Sequence, residues 1–191
     1  MPNELNTNTR LRKALFLDRD GVINVNHGYV YKKEDFTLID GIIDLIKKAN
    51  ELAYLVIVVT NQSGIGRGLY TEQQFHELND WMIDLFAQNN AHIDKVYYCP
   101  HHPTEALGQY AKSCECRKPK PGMALAALDD FNIDITNSVM VGDKTTDLEF
   151  AMRANIPEVY WFSSDQEVFI TENHSSTIVT KIEHLAQINL R

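Results

Sequence analysis

Three short apolar runs in this chain each stop on a cluster of polar residues, and this punctuation limits the possible folds more than any other feature. Residues 14–17 run into Asp18-Arg19-Asp20-Gly21, residues 54–60 end on Thr60-Asn61-Gln62-Ser63, and residues 138–141 meet Gly142-Asp143-Lys144. An unbroken apolar run of this length, rich in Val and Ile, fits a strand buried on both faces. Between the runs the apolar spacing turns helical, at residues 42–52, 75–85, 123–130 and 146–153. Thr71 and Gln74 form a capping box ahead of the second helix, which shows Phe75, Leu78, Met82 and Leu85 on one face. Further strands are expected at 95–98 and 158–162, and a last helix near 182–188. Alternating strand and helix predict an α/β fold with an open, mostly parallel sheet and helices on both faces. Ligands of such sheets bind beyond the carboxyl ends of the strands, so the three polar clusters should meet in one crevice.

A chain of 191 residues suits a single domain, expected over 13–191 behind a flexible tail at 1–12. No internal repeat or low-complexity segment interrupts it. The net charge of −8 counts against nucleic acid and anionic membrane surfaces as partners. The first ten residues are too polar for a signal peptide, and the apolar run at 55–59 is too short to span a bilayer. A soluble, cytoplasmic, monomeric protein is expected. The glycines at 64, 66 and 68 read as backbone accommodation, because no phosphate-binding loop pattern surrounds them.

The crevice residues suggest a chemistry. Asp18, Asp20 and Asp143 would repel one another unless a cation sits among them, and hard oxygen ligands suit Mg²⁺. A carboxylate can also attack phosphorus, and Asp18 is the candidate nucleophile. Lys118 would offset charge on the phosphoryl group and Thr60 would donate to its oxygens. Asp20 would protonate the leaving alcohol and then deprotonate the attacking water. Each has a plain structural alternative: Thr60 ends a strand, Lys118 is a solvated charge, and Asp20-Gly21 is an ordinary turn.

All three cysteines lie in one short stretch. Cys99, Cys114 and Cys116 with His101 offer three thiolates and an imidazole, a set suited to tetrahedral Zn²⁺ in a loop at 99–116. Four protein ligands leave no open position, so the zinc would be structural. His102 is an alternative to His101.

These residues resemble the haloacid dehalogenase (HAD) superfamily of phosphatases, whose pattern is D-x-D-G after the first strand, a Thr or Ser after the second, a Lys, and a late Asp. Here they are Asp18-Arg19-Asp20-Gly21, Thr60, Lys118 and Asp143, over about residues 13–162. The resemblance implies a Rossmann-like three-layer sandwich with a small or absent cap. It also implies Mg²⁺ held by Asp18, the backbone oxygen of Asp20, and Asp143. One branch, the D-glycero-D-manno-heptose-1,7-bisphosphate 7-phosphatases, is similar over longer runs: Asn26-His27-Gly28-Tyr29, Thr60 to Gly64, Cys99 to Pro103, Cys116 to Pro119 and Val141 to Lys144. That likeness implies substrate contacts from Asn26, His27, Gly28, Tyr29, Thr60, Asn61, Gln62, Ser63, Arg117, Lys118 and Lys144. The implied reaction removes the carbon-7 phosphate of the sugar bisphosphate in heptose biosynthesis for the lipopolysaccharide core. A histidinol-phosphate phosphatase remains the alternative enzyme, and a non-catalytic zinc-stabilised interaction module the alternative of another class. No functional residue is assigned within 163–177.

Overall fold

The buried runs align as a parallel sheet in the computed structural model of the chain, which describes residues 10–162 and 177–191. Its strands are β1 (Ala14–Leu17), β2 (Leu55–Asn61), β3 (Lys95–Cys99), β4 (Val139–Gly142), β5 (Glu158–Phe162) and β6 (Ile178–Ile182). Their order is β3-β2-β1-β4-β5-β6, and every neighbouring pair is parallel. The chain steps outward from β1 to β3, then crosses to the other side of β1 and steps outward again. The order reverses between β1 and β4, and their carboxyl ends leave the crevice where ligands of such sheets bind.

Strand alternation explains why both faces are apolar. Leu15, Leu17, Val56, Val58, Val139 and Val141 pack against α1 (Ile42–Glu51) and α3 (Glu72–Gln88). Phe16, Leu55, Ile57, Val59 and Met140 pack on the other face against α4 (Gly122–Asp130) and α5 (Thr145–Arg153). Each fully buried aliphatic side chain contributes roughly 1.5–3 kcal/mol, so the sheet's centre is its most strongly held part. The capping box forms as expected: Gln74 N–H donates to Thr71 Oγ1 at 3.1 Å, and Thr71 N–H donates to Gln74 Oε1 at 2.9 Å. On α3, Phe86 is buried and Leu85 only half-buried.

The helix expected near 182–188 is absent. Ile178-Val179-Thr180 is β-branched, a composition that suits a pleated edge, and it pairs with β5 before a single 3₁₀ turn at Leu185–Gln187. Arg12, counted with the tail, is tied into the fold: its N–H donates to Asn132 O and its guanidinium to the carbonyls of Ala53 and Tyr54. Residues 1–9 of that tail, and 163–176, lie outside the described residues. Among the described residues no helix is long and apolar enough to cross a membrane.

Candidate active site

Asp18 is the first residue beyond β1, and it is buried. Its Oδ1 accepts the Arg19 N–H at 2.8 Å and lies 2.8 Å from the Lys118 ammonium. Lys118 is buried too, donates to Val59 O at 2.8 Å, and meets Asp147 Oδ1 at 2.6 Å. Burial disfavours every charge here, yet the Lys118 and then the Lys144 ammonium hold the Asp18 carboxyl below its ordinary value. Burial likewise opposes the Lys118 charge, and Asp147 and Asp18 overcome it and push its pKa up. Asp147, which the sequence reading passed over, caps α5 by accepting the Lys144 N–H at 3.0 Å. It looks there like any acidic residue in a helix's first turn.

Asp143 closes the group. A Cβ at Gly21 would strike its carboxylate, and Gly21 has φ +111°, so both space and backbone require glycine in the D-x-D-G turn. Burial first, and the Asp18 charge second, raise Asp143 to about 7. Its Oδ1 is buried without a hydrogen bond, the Lys144 ammonium being 3.3 Å away. Carboxylate oxygens of Asp18, Asp143 and Asp147 lie within 4.8 Å of one another. Crowded, under-neutralised oxygens of this kind fit a hard dication.

Asp20 faces the same crevice through a network, because β1 ends at Leu17 and strand alternation does not extend to it. Both its oxygens accept from Arg19, Oδ1 also from Asn24 at 3.0 Å and Oδ2 from Gln62 at 2.8 Å. Arg19 is wholly buried and also donates to Val30 O, so it anchors the turn from beneath. Gln62 donates to Thr60 Oγ1 at 2.9 Å and accepts from Tyr70 at 2.5 Å. Arg19 and Tyr70 escaped the sequence reading; the first occupies the unspecified slot of the motif and the second sits beyond a glycine-rich turn. A Cβ at Gly64 would overlap the Tyr70 ring, which accounts for that glycine as backbone accommodation.

Above these residues opens a cleft of about 440 Å³. Asp20, Asn26, Gly28, Tyr29, Asn61, Gln62, Ser63, Arg117 and Lys144 line it, joined by Gly64, Tyr70 and Thr146. Ser63 opens the short helix α2 (Ser63–Gly66). Thr60 and Lys118 are buried. His27 is exposed and is not among the lining residues. Asn61 clamps Lys118, its amide donating to Lys118 O at 3.1 Å and accepting the Lys118 N–H at 3.0 Å.

Cys99, His101, Cys114 and Cys116 come together beside the cleft, their ligand atoms within 4.8 Å of one another. The three sulfurs are 3.1–3.5 Å apart and His101 Nδ1 is 3.3 Å from Cys116 Sγ. A 2.3 Å Zn–S bond implies tetrahedral edges of about 3.8 Å, so the cage needs little expansion to hold zinc. Hydrogen bonding with Cys99, ahead of that with Cys114 and His101, brings the Cys116 thiol down to about 5. His102 points elsewhere, its Nδ1 accepting the N–H groups of Glu105 and Thr104. Arg117, next to Cys116, donates to His101 O at 3.2 Å.

Residues 115–160 match a family model described as HAD-hydrolase-like. The chain is 51% identical over 145 residues to a Vibrio cholerae serotype O1 protein named D-glycero-beta-D-manno-heptose-1,7-bisphosphate 7-phosphatase, covering 76% of this chain and 78% of that one. An Escherichia coli K12 protein of the same name is 48% identical over 143 residues, 75% of each chain. A HAD-like phosphatase from Mesorhizobium loti superposes with a TM-score of 0.83 at 30% identity, covering 92% of this chain and 82% of its own. The D,D-heptose 1,7-bisphosphate phosphatase of B. bronchiseptica, solved with magnesium and phosphate, gives 0.73 at 28% identity, covering 91% and 94%.

Proposed function

From the premise that the chain belongs to the heptose-1,7-bisphosphate 7-phosphatase family of HAD-like hydrolases, we propose that it hydrolyses the carbon-7 phosphate of D-glycero-D-manno-heptose 1,7-bisphosphate. The reaction serves heptose biosynthesis for the lipopolysaccharide core and takes place in the cytoplasm. The buried Asp18–Lys118 pair, next to the Asp20 and Lys144 that line a polar cleft, carries the chemistry. The substrate rests on the likeness to the named relatives.

Asp18 attacks phosphorus, forming an O–P bond as the bond from phosphorus to the sugar oxygen breaks. Asp20 gives that oxygen its proton. A water then attacks the aspartyl-phosphate, Asp20 takes the water's proton, and phosphate leaves with Asp18 restored. Taking up a proton requires Asp20 to release one of its donors, and the neutral amides of Asn24 and Gln62 are weaker holds than Arg19. Lys118 stays against Asp18 throughout as a preorganised countercharge. Thr60 and the cleft residues orient the phosphate, and Arg117 can grip an oxyanion bidentately. Asp18, the Asp20 carbonyl and Asp143 would hold Mg²⁺, which would supply charge neutralisation on the transferring phosphoryl group.

Phosphate release should be measured with Mg²⁺ from the β and α anomers of heptose 1,7-bisphosphate and from histidinol phosphate. Fast turnover of either anomer with the carbon-1 phosphate retained is the expected result. Preference for histidinol phosphate would keep the chemistry and overturn the substrate.

We assign zinc to the cysteine–histidine cage, with a structural role. The intervening loop packs little apolar surface, so its shape, and the position of Arg117, depend on that cage. Cys116→Ser should release the zinc to a chelating dye and lower Tm by about 5–10 °C, on the order of 2 kcal/mol or more. A variant that keeps wild-type Tm and KM after losing its metal would remove the structural role.

A further inference from the structure

The ammonium of Lys144 stands among three oxygens: Asp20 O at 3.2 Å, Asp143 Oδ1 at 3.3 Å and Asp18 Oδ2 at 3.6 Å. These come from the three residues assigned to Mg²⁺. None of the distances reaches the roughly 2.7–2.9 Å of a charge-assisted hydrogen bond, so the charge is shared and committed to no single oxygen. The side chain is 47% exposed, against 2% for Lys118, and it is free to leave where Lys118 is not. Its backbone stays pinned, because its N–H donates to Asp147 Oδ2. With all three ionised, the carboxylates of Asp18, Asp143 and Asp147 face two ammoniums, which leaves one negative charge. A dication in place of Lys144 closes that balance. Lys144 also borders the cleft beside Arg117, where an anionic part of the substrate would meet it.

Resting on the reading of this crevice as a Mg²⁺ site, we propose that Lys144 and the metal compete for one position. Metal binding turns the Lys144 side chain from the carboxylates into the cleft, toward the substrate's anionic groups. The metal thereby completes the substrate site as it completes its own. Lys144 is then the occupant of the metal's place before the metal binds, and a contact for the sugar phosphate after it.

Mg²⁺ binding, measured by titration calorimetry without substrate, tests this on wild type, Lys144→Met and Arg117→Gln. Lys144→Met keeps the length of the side chain and removes its charge. Arg117→Gln removes a charge from the same cleft without touching the three oxygens. The expected result is Mg²⁺ bound about tenfold more tightly by Lys144→Met, with Arg117→Gln within roughly threefold of wild type. Equal or weaker binding by Lys144→Met would overturn the proposal while leaving the metal assignment intact. An equal gain in Arg117→Gln would also overturn it, by showing a general field effect in place of competition. No binding in any of the three proteins would sink the metal assignment and the proposal together.

Discussion

Asp18→Asn should leave a folded protein whose phosphate release is lower by about 10⁴-fold or more, because the attacking oxygen loses its charge. The substitution is nearly isosteric, and an amide oxygen can still accept from the Arg19 N–H and from Lys118. Stability should hardly suffer. Lys118 keeps Asp147 at 2.6 Å and the Val59 carbonyl at 2.8 Å, so no buried charge is orphaned. Removing Asp18 also removes one of the charges that raise Asp147. Unchanged Tm with lost turnover separates a nucleophile from a structural carboxylate. Activity within tenfold of wild type would end the aspartyl-phosphate mechanism, whereas loss of turnover with the fold intact also disposes of the reading of the chain as a non-catalytic zinc-stabilised module.

The parts of this site that were legible in the sequence are those that interrupt a pattern. β1, β2 and β4 are buried on both faces, so each reads as a continuous apolar run, and the polar residue that ends it is conspicuous. Asp18, Thr60 and Asp143 were found this way. Asp147 interrupts nothing, since an acid near a helix N-terminus is what the helix dipole favours anyway. Only the fold, by laying α5 beside the loop after the cysteines, brings Asp147 to Lys118. The end of the chain misled for a related reason. Ile182, Leu185 and Ile188 are spaced by three and are all buried, as one face of a helix would be. The spacing reports true contact with the core, but a strand end and a 3₁₀ turn supply it, and the β-branched residues just before were the better guide. The choice between His101 and His102 needed coordinates, because adjacent residues differ only in where the backbone aims them.

Lys118→Met should cost both activity and stability, and the pH dependence of the stability loss identifies its cause. With the ammonium gone, Asp18 and Asp147 remain buried with no cation held between them. Breaking a buried pair in this way costs about 3–5 kcal/mol, because the surviving charge is left uncompensated. In wild type the Lys118 and Lys144 charges hold Asp18 low, while burial followed by the Asp18 charge already pushes Asp147 up. Without Lys118 both carboxyls move upward from the ordinary carboxylate range. A carboxyl whose folded pKa lies above its unfolded value binds its proton more tightly when folded. It therefore destabilises the fold at higher pH and ceases to do so as the pH falls through the raised value. The variant should be much less stable than wild type near pH 8 and should recover much of the difference near pH 5. Turnover should stay at least ~10³-fold down at either pH: near pH 8 the countercharge is missing, and near pH 5 the protonation that rescues the fold disables the nucleophile. Denaturant midpoints at the two pH values are the measurement. An equal stability loss at both would mean that Lys118 serves packing, and the case for a buried countercharge beneath the phosphoryl group would fall with it.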